Sequence, residues 1–288
     1  MLPGRPVTWR AISGGAQALA LALAAVASAG GLAHAQGKLE ARYTMTISGV
    51  PIGRATWVSE IGEDQYTTAV SGRIAGILRA FTSGEGSGAA RGLINAGRLV
   101  STSYAASVVA EDKPDEIRMV LSGGNVRELT VEPPTPASPD RVALTEAHRR
   151  GVIDPLSAVL VSVPGSGDLF VPDACQRTMP IFDGRQRYDL TLTFKRVDHV
   201  KAERGYQGQV VVCMITYEPV AGHRPERSAI KHLTQTREME IALAPIAGTR
   251  VLAPFRVSLP TLLGPAVLQA VQFATLPPGP RPTSVKTQ

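Results

Sequence analysis

The feature that most constrains this chain is a rhythm of two. From about residue 39 to residue 274 it runs in short stretches of alternating apolar and polar residues, broken by Gly, Asn, Asp and Pro. A period of two puts successive side chains on opposite faces of a strand, and turn residues between such runs join antiparallel neighbours. Leu39 to Ser48 sets the pattern, with Tyr43, Met45 and Ile47 on one face. Gly49-Val50-Pro51 turns the chain, Ile52 to Ile61 returns, Gly62-Glu63-Asp64 turns it again, and Gln65 to Ile74 is the third run. The fold class expected is mainly β: an antiparallel meander forming an open barrel or β-clam with one short helix.

That helix is expected to begin at Asp154, where an Asp N-cap precedes Pro155 at the first helical position. Pro164 to Gly167 ends it. Strands resume at Gln176 to Phe182 and pass through an Asp183-Gly184 hairpin turn. His232 to Leu243 and Thr249 to Leu259 read as a long hairpin, and Pro260 to Ala274 as a last strand. In Ser83 to Ile94 the glycines Gly84, Gly86, Gly88 and Gly92 fall on one strand face, which permits sharp coiling or the close approach of another group. Hydrophobic residues are 44% of the chain but aromatics only 5%, so the core is built mostly from Val, Leu, Ile and Ala.

Residues 1–35 have the layout of a secretory signal peptide. Arg5 and Arg10 precede an apolar stretch from Ala16 to Leu32, and Ala33-His34-Ala35 is a small-x-small cleavage site. The expectation is export to the periplasm with cleavage after Ala35; retention of the segment as an anchor is the alternative. Residues 36–275 are then one barrel-like domain, with a four-proline spacer near 132–140 as a two-part option. Residues 276–288 read as a Pro-rich disordered tail. No later apolar run reaches the roughly 18 residues of a transmembrane segment.

Loss of Arg5 and Arg10 with the leader lowers the net charge from +6 to +4. No Lys/Arg run concentrates that charge, so no nucleic-acid partner is expected. Cys175 and Cys213 both lie in the exported part, and an oxidising compartment favours a disulfide between them.

No nucleophile elbow, phosphate-cradling loop or His-Glu-x-x-His motif is present. No catalytic, metal or cofactor-binding residue is expected, and the chain reads as no enzyme. Two polar clusters stand out. One holds Asp183, Arg185 and Arg187, the other His223 and Arg224. Together they form a candidate ligand rim, with the arginines as fork donors to an anionic group; cross-strand ion pairing and turn chemistry is the alternative. Ile77, Leu78 and Phe81 form a candidate cavity mouth.

The order of several segments resembles a bacterial exported family known only as domain of unknown function 3108. The segments are Ile47-Ser48-Gly49-Val50-Pro51-Ile52-Gly53, the Gly-rich strand, Val152-Ile153-Asp154-Pro155-Leu156-Ser157, and Pro180-Ile181-Phe182-Asp183-Gly184-Arg185-Gln186-Arg187-Tyr188. The likeness runs from about Leu39 to Phe273. It implies a periplasmic, barrel-like or clam-like β domain and carries no catalytic residue. Two functions are expected to compete: binding of a lipid or other hydrophobic small molecule, and a structural role in the cell envelope through a protein partner.

Overall fold

Alternation becomes a sheet because each strand buries one face. In the computed structural model, which describes residues 37–74 and 84–276, Leu39, Ala41 and Tyr43 are buried while Glu40 and Arg42 between them are exposed. The first seven strands are β1 (Gly37–Ile47), β2 (Val50–Ile61), β3 (Gln65–Ile74), β4 (Gly84–Asn95), β5 (Arg98–Ala110), β6 (Lys113–Ser122) and β7 (Asn125–Glu132). After a short helix α1 (Pro155–Ala158) come β8 (Val161–Ser162), β9 (Arg177–Phe182), β10 (Arg187–Lys201), β11 (Arg204–Gly205) and β12 (Gln207–Ala221). A second helix α2 (Ser228–Gln235) precedes β13 (Glu240–Pro245), β14 (Val251–Thr261) and β15 (Gly264–Leu276).

The strands form one sheet in the order β7-β6-β5-β4-β3-β2-β1-β15-β14-β13-β12-β10-β9. The ladder along this path is antiparallel and the path does not close, leaving β7 and β9 at its ends. The first and last strands of the chain meet, with Leu39 opposite Thr275 and Thr44 opposite Gln269. The mainly antiparallel β fold is therefore as the sequence implies.

Four parts of the expected layout are corrected. Helix α1 ends at Ala158 rather than at Pro164, because Val161–Ser162 pair with β14 as β8. The long hairpin starts at Glu240, because His232 to Gln235 belong to α2. Two α-helices rather than one are present among the described residues, beside short 3-10 turns at Glu146–Arg149 and Pro172–Ala174. Gly264-Pro265 does not interrupt the last strand but begins it, just after the β14–β15 turn.

Side chains of the sheet itself fill its interior. One buried cluster centres on Tyr43, Trp57, Tyr66, Phe255 and Phe273. A second surrounds the Cys175–Cys213 disulfide, whose Cα atoms are 5.5 Å apart. A third joins Tyr104, Met119 and Leu121 to Val152 and Phe182, so it ties the strands β5 and β6 to β9. The glycine face of β4 serves this packing. A Cβ at Gly92 would lie 2.6 Å from the Tyr66 ring, so only glycine lets that ring in.

Residues 1–36, 75–83 and 277–288 lie outside the described residues. They include the leader, its cleavage site, most of the tail and the candidate cavity mouth Ile77, Leu78 and Phe81. No described helix is long and apolar enough to cross a membrane, which says nothing about strands.

Candidate functional site

The Asp154-Pro155-Leu156-Ser157 segment is a buried pin. Asp154 Oδ1 accepts from the backbone N–H of Leu156 (2.9 Å) and Ser157 (3.0 Å), which makes it the N-cap of α1. Its Oδ2 accepts from the Ser101 hydroxyl on β5 at 2.5 Å. Ser157 Oγ accepts from the Tyr66 hydroxyl on β3 at 2.6 Å. Burial raises the Asp154 carboxyl above its ordinary range, and the hydrogen bonds from Ser101 and the helix start oppose that shift. Among the described residues no cluster of His, Cys, Asp and Glu could hold a metal ion.

The Asp183 segment is a second pin. Asp183 Oδ1 accepts from the backbone N–H of Arg185 (2.8 Å) and Gln186 (2.7 Å), closing the β9–β10 turn. Gly184 sits at φ +98°, and a Cβ there would meet the Ile117 side chain at 2.5 Å. Arg185 donates to the Thr135 hydroxyl (2.8 Å) and the Pro133 carbonyl (2.9 Å) and pairs with Asp115 at 3.0 Å. The proline-rich 132–140 segment is thus held against the second half of the chain. Arg187 pairs with Asp189 at 2.7 Å.

The structure brings the two clusters of the candidate rim side by side, with Arg187 opposite Ala221 and Gly222 against the Arg185 carbonyl. Asp183, Arg185 and Arg187 are occupied by turn closure and internal ion pairs. Arg185, which already holds a carboxylate and two other oxygens, has few donors left. His223 and Arg224 lie beside that turn, along a small pocket of about 300 Å³ that Gln186 also lines. His223 is buried, and burial lowers its pKa.

A large concavity of the described surface uses residues that sequence reading does not single out. It is an open trough of about 820 Å³ on the solvent face of β1 to β5. Register builds it in rows. Val58, Ala69, Ala89 and Ala105 stand side by side across β2 to β5. The next row is Thr56, Ser71, Ser87 and Ser107, and the next is Arg54, Arg73, Glu85 and Val109. Thr56 and Ser71 share a 2.7 Å hydrogen bond. A neighbouring hollow of about 500 Å³ uses the same hydroxyl row and continues over the alanine row. Small side chains in two adjacent rows leave room that larger ones would fill.

Arg42 from β1 and Arg204 from β11 complete the basic rim, and Glu85 and Glu203 are its acids. Among the described residues none of these four arginines or two glutamates has an ion pair or a side-chain hydrogen bond. Arg54 stands directly opposite Arg73, a like-charge pair that costs the fold stability. The trough was hidden from sequence because its residues come from seven strands and only register aligns them. The signal available was a run of Ser and Ala on the polar phase of β3, β4 and β5.

An unclosed antiparallel sheet packed on its own side chains, with a polar trough outside, defines a barrel-like β domain. This chain belongs to the family described as protein of unknown function (DUF3108), whose model matches residues 42–271. Among solved structures it is similar to the crystal structure of a β-barrel-like protein of domain of unknown function DUF1849 from Brucella abortus. The identity is 11% and the TM-score 0.45, over 83% of this chain and 98% of that one. No curated protein matches the chain.

Proposed function

We propose that this protein is an exported, non-catalytic binding module of the periplasm that holds an anionic amphiphile in the trough. The observation that carries the reading is the gradient across the rows. An aliphatic row gives way to a hydroxyl row and then to a row bearing Arg54 and Arg73. An amphiphile has the same order along its length: tail, polar linkage, charged head. The four rim arginines are free to receive an anion in fork geometry. A volume of about 820 Å³ suits a small-molecule site. The three interior clusters favour this outer face over a hollow barrel as the place for the ligand.

The test is native mass spectrometry with lysophosphatidic acid and with zwitterionic lysophosphatidylcholine. The reading expects a one-to-one adduct with the anionic lipid that Arg54→Ala/Arg73→Ala weakens at least tenfold, by loss of about 1.4 kcal/mol or more. Equal retention of both lipids, or an unchanged double variant, would sink it.

A second reading, a structural role through an envelope protein, has one observation in its favour. Leu262 and Leu263 are 66% and 76% exposed at the β14–β15 turn, beside the β1–β2 turn where Val50 is also exposed. Leu262→Ser/Leu263→Ser would abolish recovery of a stoichiometric partner from envelope extract on that reading and leave lipid binding intact.

A further inference from the structure

The start of α2 lacks what a helix start needs. The first-turn N–H groups of a helix have no intrahelical acceptor. Here the N-cap position is Arg227, no side chain caps the turn, and no acid lies in it. Ser, Thr, Asp or Asn would ordinarily stand at that position. What stands there instead is a pocket of about 300 Å³ lined by Arg141, Gln186, His223, Arg224, Arg227 and Ile230.

Three nitrogens in this pocket are buried without a hydrogen-bond partner: His223 Nδ1, Arg141 Nε and Arg224 Nε. His223 is only 7% exposed. Such a group is costly to bury unless something accepts from it or donates to it. Arg141 is fixed in place by donating to the Gly222 carbonyl at 2.6 Å. Two acids are near. Asp140 lies 3.6 Å from Arg224, and Glu226 pairs with Lys231 at 2.5 Å. Arg227 has no ion pair or side-chain hydrogen bond among the described residues. Cations therefore exceed acids, and the uncapped first-turn N–H groups and the free guanidinium nitrogens are donors.

We propose that this pocket binds a phosphate group, free or as the terminal phosphate of a larger molecule. A tetrahedral oxyanion supplies what is missing: acceptors for the first-turn N–H groups, charge for the helix dipole, and several oxygens for forked guanidinium groups. The site is separate from the trough, since none of its residues lines it.

The experiment is calorimetric titration of the full protein with inorganic phosphate, beside co-sedimentation with phosphatidylcholine vesicles containing phosphatidic acid. Wild-type protein binds one phosphate, and Arg227→Ala weakens that binding about tenfold or more while leaving the phosphate-free melting temperature unchanged. Arg224→Gln serves as the second variant, with the same expected loss. Binding to free phosphate alone supports a free anion as the ligand. Vesicle binding that inorganic phosphate displaces, and that Arg227→Ala removes, supports a lipid headgroup. No heat and no sedimentation with wild type, or a phosphate affinity in both variants unchanged from wild type, overturns the proposal. Because Arg227 lies outside the trough, Arg54→Ala/Arg73→Ala leaves the phosphate result unchanged, so the two readings fail separately.

Discussion

Replacing Asp154 by Ala tests whether the most family-specific segment is a structural pin. Asp154 is fully buried and accepts from three donors: Leu156 N–H, Ser157 N–H and the Ser101 hydroxyl. Loss of an N-cap side chain costs about 0.5–2 kcal/mol. Stranding the buried Ser101 hydroxyl and Ser157 N–H adds about 1–3 kcal/mol for a fully desolvated donor. The sum for Asp154→Ala is about 1.5–5 kcal/mol, a sizeable part of the stability of an ordinary domain. Asp154→Asn keeps Oδ1 for the two N–H groups, and the Ser101 hydroxyl can rotate to accept from the new amide. Its cost should be about 1 kcal/mol or less. Urea unfolding followed by circular dichroism reads both, as a shift of midpoint at constant slope. The variants also differ in pH dependence. Burial raises the Asp154 pKa above 3.8, so the folded state holds its proton longer than the unfolded state. Wild-type stability from this group is therefore present at low pH and lost as pH rises through the window above 3.8, a slope that Asp154→Asn lacks. An Asp154→Ala variant within 1 kcal/mol of wild type (below the cost of one stranded buried donor) would refute the reasoning.

Other perturbations follow from the same structure. Cys175 and Cys213 close a loop with a separation of 38 residues, so replacing both by Ser costs about 4 kcal/mol on the chain-entropy model, read by urea unfolding. Arg73→Thr removes both the like charge facing Arg54 and the opposite charge facing Glu85, so stability changes by less than about 1 kcal/mol while anionic-lipid binding weakens; a larger loss would show that Arg73 supports the fold. Burial lowers the His223 pKa below 6.5, so its share of stability is full above 6.5 and lost as pH falls through the lowered value. In phosphate-free buffer His223→Gln should flatten the melting-temperature profile below pH 6.5, and an unchanged profile would contradict this.

Much of the fold is legible in the sequence because its causes are local. The Tyr43-Met45-Ile47 phase marks β1, and the Asp183-Gly184 turn announces the β9–β10 hairpin. Asp154-Pro155 announces α1 by the N-cap and Pro chemistry that the structure then uses. The α2 helix is hidden for the converse reason: Arg227 supplies no capping signal, and Ile230, His232 and Thr234 carry little helix preference. The glycines of β4 have a clear phase, but Tyr66 as the group they admit is a tertiary fact. The rim is half legible. Sequence marks Arg185 and Arg187 as polar and forked, but Asp115, Thr135 and Pro133, which occupy Arg185, are distant in the chain. The trough is the extreme case. Ser71, Ser87 and Ser107 are ordinary solvent-face residues until register lines them up beside Arg54 and Arg73.

The most direct measurement of the central claim is native mass spectrometry with lysophosphatidic acid on Ser87→Phe beside wild type. Ser87 is an exposed residue in the middle of the hydroxyl row, so a phenyl ring there fills the trough without entering the core. The account predicts a one-to-one lipid adduct on wild type and its loss on Ser87→Phe, with the two proteins equally stable. An adduct retained by Ser87→Phe would place the ligand elsewhere and contradict the account.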